Sequence, residues 1–204
     1  DPIKHYTLPP LSRLDLEEVL RLIDQEKYFV LHAPRQTGKT SVLLALMDRL
    51  NREDRYTCLY ANIEAARAVR GDVDRGIRHV CHAIAARAVT YLDDPRLQGW
   101  ADELNRRNSM AGALTELLER WSRENDKPVV LLLDEVDALV GDTLISLLRQ
   151  IRAGYAQRPR AFPQTVVLCG VRDVRDYRIH GAGQEIVTGG SAFNVKAKSL
   201  RLGN

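Results

Sequence analysis

The chain has 204 residues, of which 45% are hydrophobic and 28% charged; that is the balance of a globular domain with a full core, and it excludes a disordered or low-complexity protein. A net charge of +3 is too small to mark a partner for polyanions by itself. No run is long enough to span a membrane, and the opening residues, DPIKHYTLPPLSRLD, lack the apolar stretch of a signal peptide.

Residues 1–27 read as a lead-in followed by a short helix. Pro2, Pro9 and Pro10 oppose helix, Asp15 and Glu18 have the spacing of a capping pair, and Leu16, Val19, Leu20 and Ile23 form a stripe. Residues 28–204 read as one core domain. It opens with Tyr28-Phe29-Val30-Leu31, a short run of β-formers. The run turns through Ala33-Pro34-Arg35-Gln36-Thr37-Gly38-Lys39-Thr40-Ser41 into a helix with Leu43, Leu46, Met47 and Leu50 on one face. A second strand, Tyr56 to Ala61, ends at Asn62. A long helix over 72–92 begins at Asp72 and presents Val73, Ile77, Val80, Ile84, Ala88 and Tyr91 inward. His79 and His82 are on it as ordinary helix residues. A loop with a short helix fills 93–108, and a further helix from Ser109 to about Arg123 turns Leu114, Leu117, Leu118 and Trp121 inward.

Val129 to Leu133 is a continuous apolar run, the pattern of a strand buried on both faces, and it ends in Asp134-Glu135-Val136-Asp137. A helix from about Asp142 to Ala156 and another buried strand, Thr165 to Val171, follow. Residues 173–192 are polar and glycine-containing, which predicts a mobile loop. Lys198 to Leu202 is the last candidate strand. Strands alternating with helices predict an α/β fold, a three-layer sandwich with a parallel sheet of about five strands. Cys58, Cys81 and Cys169 are far apart and lack metal-ligand spacing, so they read as buried thiols in a reducing, cytoplasmic setting.

Two stretches carry chemistry. Strand, glycine-lysine-threonine turn and helix is the context of a phosphate-binding loop. A helix N-terminus converges backbone N–H groups on phosphate oxygens, and Gly38 lets the backbone curl. Lys39 reaches the β- and γ-phosphates, and Thr40 places a hydroxyl on Mg²⁺. Ala33 stands where the motif has its first glycine. It sits at the strand end, where an ordinary φ suffices. The second stretch, four apolar residues and then Asp134-Glu135, is the Walker B pattern. Asp134 at the carboxyl end of a buried strand holds Mg²⁺ through water, and Glu135 orients and deprotonates the attacking water. A base beside the aspartate favours ATP hydrolysis over phosphate transfer to a hydroxyl.

Together HAPRQTGKT, LLLDEVDAL and LCGVRD resemble an AAA+ ATPase of the P-loop NTPase fold, of the bacterial and archaeal kind that grades into STAND signalling NTPases. The resemblance covers roughly residues 8–204. It implies strand order 5-1-4-3-2, ATP or ADP with Mg²⁺ as cofactors, and ATP hydrolysis coupled to conformational change in a larger protein or assembly. Partners would be further copies of the chain or a downstream domain, and a helical lid would lie outside these residues. It places Arg172 at the γ-phosphate, and matches Asn62 to a polar residue that holds the catalytic Glu away. A surface arginine and a strand-end turn asparagine are the alternatives. Two other functions stay open: a STAND-like switch with slow or no turnover, and a DNA-associated ATPase using Arg149, Arg152, Arg158, Arg160, Arg172, Arg175 and Arg178. Solvated helix and loop faces also explain most of those arginines.

Overall fold

A computed structural model describes residues 9–34, 36–69, 71–171, 178–180, 186–188, 194 and 196–203. Its helices and strands, in chain order, are α1 (Leu16–Asp24), β1 (Tyr28–His32), α2 (Lys39–Arg52), β2 (Thr57–Asn62), α3 (Val73–Leu92), α4 (Arg96–Asn105), α5 (Ala113–Arg123), β3 (Val129–Asp134), α6 (Gly141–Ala153), β4 (Thr165–Gly170), β5 (Arg178–His180), β6 (Ile186–Thr188) and β7 (Lys196–Arg201). Short 3₁₀ turns at Pro10–Arg13, Glu64–Val69, Val136–Ala138 and Tyr155–Gln157 join them.

Five strands form one sheet in the order β2-β3-β4-β1-β7, every pairing parallel. With β7 as the fifth strand this is the expected 5-1-4-3-2 order. Side chains alternate across a strand, and the two cores divide accordingly. Phe29, Leu31, Cys58, Tyr60, Val130, Leu132, Val167 and Cys169 pack under α1 and α2. Tyr28, Val30, Leu59, Ala61, Val129, Leu131, Leu133, Val166 and Leu168 pack under α3, α5 and α6. Because both faces are covered, β3 and β4 are buried along their whole lengths. The three layers of the sandwich follow from that pattern. Among the described residues no helix is long and apolar enough to cross a membrane.

Local signals act mostly as read. Asp72 accepts from Arg75 N–H at 2.9 Å and starts α3. Asp15 accepts from Glu18 N–H at 3.2 Å, but the Glu18 carboxylate turns to Arg21 and Lys198 instead of completing a capping box. Leu114, Leu117, Leu118 and Trp121 are fully buried, as are all three cysteine thiols. Burial raises each thiol, Cys81 to about 12.

Three expectations need correction. Tyr91 is 37% exposed: it lies in the last turn of α3, which passes beyond the core at the edge of β2. The stretch 173–192 is not wholly loop, since β5 and β6 pair antiparallel within it; such short strands leave too little alternation to read. Arg158 is not a free surface cation. Its Nε donates to Tyr155 O at 2.6 Å and its guanidinium lies over the Tyr155 and Tyr28 rings.

The edge strand β2 is blunted by a side chain. Asn51 Nδ2 donates to Cys58 O at 2.9 Å and Asn51 Oδ1 accepts from Cys58 N–H at 2.8 Å, so one carboxamide takes the place of a pairing strand.

Candidate functional site

The carboxyl ends of β1, β4 and β3 stand side by side, and the two sequence stretches meet there. After His32 the chain leaves the sheet. Ala33 N–H still reaches across to Gly170 O on β4 at 3.2 Å, so Ala33 extends the sheet and needs no positive φ. The loop then curls through Gln36 (φ 60) and Gly38 (φ 77). Gly38 is the N-cap of α2 and offers no side-chain cap, so the first N–H groups of the helix have no intrahelical acceptor. Thr37 Oγ1 donates to Pro34 O at 2.7 Å and tightens the turn. Arg35 lies outside the described residues.

Lys39 is 5% exposed, and its ammonium donates to Ala33 O at 3.2 Å and Pro34 O at 3.1 Å. Two neutral carbonyls offset only part of the desolvation of a nearly buried cation, and the nearby Glu135 carboxylate adds an opposite charge. Thr40 Oγ1 donates to Asp134 Oδ2 at 2.8 Å, which joins the two sequence stretches. Asp134 is fully buried, and its other oxygen accepts from Glu135 N–H at 2.9 Å. Ser41 is exposed on the first turn of α2.

Glu135 sits in the left-handed region at φ 60, a conformation costing of order 1 kcal/mol for a residue with a Cβ. Partial burial raises its pKa above the ordinary value, the Asp134 charge adds to the rise, and Lys39 opposes it. Asn62 pairs with Asp134 in the β2–β3 register, and its Oδ1 accepts from Glu64 N–H at 2.8 Å, the bond of a strand-end turn.

Three functional neighbours escaped the sequence reading. Arg13 donates from one nitrogen to the Thr37 carbonyl in the loop and from the other to Gly203 O at 3.0 Å beyond β7. Tyr60 Oη donates to Asp134 Oδ2 at 3.0 Å, and burial together with the Asp134 charge raises the phenol. Asp137 accepts from Val171 N–H at the end of β4, and a Cβ added at Gly170 would lie 2.8 Å from Asp137 Oδ1, so a side chain there would push the carboxylate aside. Alternation along β2 puts Tyr60 on the Asp134 face; the reach of Arg13 has no local signal. Arg172, Arg175 and the side chain of Arg178 lie outside the described residues, whereas Arg149, Arg152 and Arg160 are exposed.

A hard oxygen pair, Thr40 with Asp134, beside a helix N-terminus and a buried ammonium suits Mg²⁺ and a polyphosphate. Comparisons with known proteins agree on the fold. A family profile described as an AAA ATPase domain matches residues 13–162. Cdc6p from Pyrobaculum aerophilum is similar in structure, with TM-score 0.53 and 20% identity over 94% of this chain and 44% of that one. A Drosophila ORC assembly bound to GC-rich DNA and Cdc6 gives TM-score 0.55 at 12% identity, over 93% of this chain and 28% of its own. The Walker-type ATPase of Pyrococcus abyssi gives TM-score 0.51 at 15% identity, over 76% and 43%. The chain thus spans less than half the length of these solved proteins. No curated protein matches it.

Proposed function

The chain belongs to the AAA ATPase domain family, and from that membership we propose that it binds ATP or ADP with Mg²⁺ at residues 33–41 and hydrolyses ATP. The observation that carries the reading is the 2.8 Å bond from Thr40 to Asp134, with Lys39 and Glu135 beside it beyond the ends of β1 and β3, the two strands that flank β4. Thr40 and Asp134 would hold the metal, and bound Mg²⁺ would supply charge neutralisation at the phosphate oxygens. Lys39 leaves its two carbonyls for the phosphates. The Glu135 carboxylate accepts a proton from the attacking water, and its raised pKa suits that task. Arg172 is assigned the charge developing on the γ-phosphate because β4 ends between β1 and β3. Asn62 is assigned to hold Glu135 between cycles.

Coupling of hydrolysis to conformational change is the finer part of the proposal. One guanidinium, Arg13, ties the phosphate loop to the segment after β7, so a loop that closes on phosphate also moves that segment. The same link serves a slow switch, and the turnover rate separates the two.

The test is phosphate release from ATP against pH. The base must be deprotonated, so kcat/KM, which reports groups of the free protein, is expected to fall as pH drops through the Glu135 pKa. Because that pKa is raised, the acid limb should lie above the ordinary glutamate range. A profile with no acid limb would remove Glu135 from the base role, and absence of Mg²⁺-dependent nucleotide binding would remove the function altogether.

A further inference from the structure

Tyr60 belongs to neither sequence stretch, yet its hydroxyl lies on the carboxylate at the centre of the site. Tyr60 pairs with Leu132 in the β2–β3 register, and Asn62, two residues on, pairs with Asp134. Alternation therefore sets Tyr60 and Asp134 on the same face as diagonal neighbours, a separation that an aromatic side chain spans. The phenol donates to Asp134 Oδ2 at 3.0 Å, the oxygen that also accepts from Thr40 at 2.8 Å. Asp134 Oδ1 accepts from Glu135 N–H at 2.9 Å, so both oxygens are fixed.

The donor is itself well anchored. Tyr60 is 4% exposed, and its ring makes an edge-on contact with Tyr91 at 6.3 Å between centroids. A core position needing only volume would be filled by Leu or Phe, as at Leu132 alongside. A tyrosine adds one polar group, and here that group meets the carboxylate assigned to the metal. Hydrogen-bond donors behind a metal site orient the carboxylates that hold the metal and raise its affinity.

We propose that Tyr60 is a positioning residue for the metal site: its hydroxyl fixes the Asp134 carboxylate so that Mg²⁺ binds with the nucleotide. The inference rests on the Mg²⁺–nucleotide reading given above. Its test replaces Tyr60→Phe, which keeps the ring and removes the donor. Mn²⁺ serves as the probe, its free concentration followed by electron paramagnetic resonance in the presence of ADP. Half-saturation is expected to rise about tenfold, the low end of outer-shell effects. ADP affinity measured in EDTA should stay within about twofold of the unsubstituted protein, because no metal is involved.

An unchanged Mn²⁺ half-saturation overturns the proposal. So does an equal loss of ADP affinity with and without metal, which marks a purely structural role. If the Phe variant does not fold by circular dichroism, Tyr60→Met carries the same expectation, since methionine adapts to irregular buried space without a hydroxyl donor. If the unsubstituted protein itself takes up no Mn²⁺ with ADP, the function reading fails and Tyr60 falls with it. Normal uptake with an indifferent Tyr60→Phe sinks only the present inference.

Discussion

Lys39→Ala is expected to weaken ADP and ATP binding by about a hundredfold or more in a calorimetric titration. The ammonium is already nearly out of water, held 3.2 and 3.1 Å from two carbonyls. Most of its desolvation therefore occurs on folding, before any ligand arrives. A phosphate replaces weak dipolar partners with a full counter-charge, and charge-assisted bonds are about twice as strong as neutral ones. Removing one such preorganised donor elsewhere costs about 3–4 kcal/mol, which sets the hundredfold scale. The variant should still fold, since alanine keeps the helix start and both hydrophobic cores are built from other residues. Unchanged affinity would move the nucleotide away from residues 33–41.

Glu135→Gln should leave nucleotide binding intact and lower turnover by about 10²- to 10⁴-fold, the range for loss of a positioned base. The carboxamide matches the carboxylate in size, so the left-handed backbone at φ 60 and the Glu135 N–H bond to Asp134 persist. What disappears is the capacity to take a proton from water. The expected measurements are an unchanged ATP dissociation constant and ATP retained on the protein after gel filtration. A variant turning over as fast as the unsubstituted protein would exclude Glu135 as the base.

Residues whose neighbours are close in sequence were the most legible. The apolar run Val129–Leu133 identifies a central strand without reference to anything distant, and the acidic pair after it follows from where such strands end. The loop reads equally well, because strand, turn and helix are contiguous. Arg13 is opaque for the opposite reason. Its two acceptors, Thr37 and Gly203, meet it only once β1 and β7 pair in parallel, which lies beyond local pattern. Tyr60 is half legible: alternation gives its face, but the partner depends on the β2–β3 register. Glu18 shows how competing partners override a local motif, since Arg21 one turn on and Lys198 from β7 draw its carboxylate away from the helix start. The helix stripe that included Tyr91 failed at its last turn, where periodicity continues but the sheet has ended. The left-handed φ of Glu135 has no sequence signal, because glutamate rarely adopts it and only the surrounding strand end imposes it.

The central claim is that Mg²⁺-nucleotide occupies the crevice at the ends of β1, β4 and β3. A crystal structure with Mg²⁺ and a non-hydrolysable ATP analogue tests it most directly. The account expects the β-phosphate against the N–H groups of the Gly38–Thr40 turn, Lys39 Nζ moved from the Ala33 and Pro34 carbonyls onto phosphate oxygens, and Thr40 and Asp134 facing the metal. A triphosphate bound elsewhere, with Lys39 still on its two carbonyls, would contradict it.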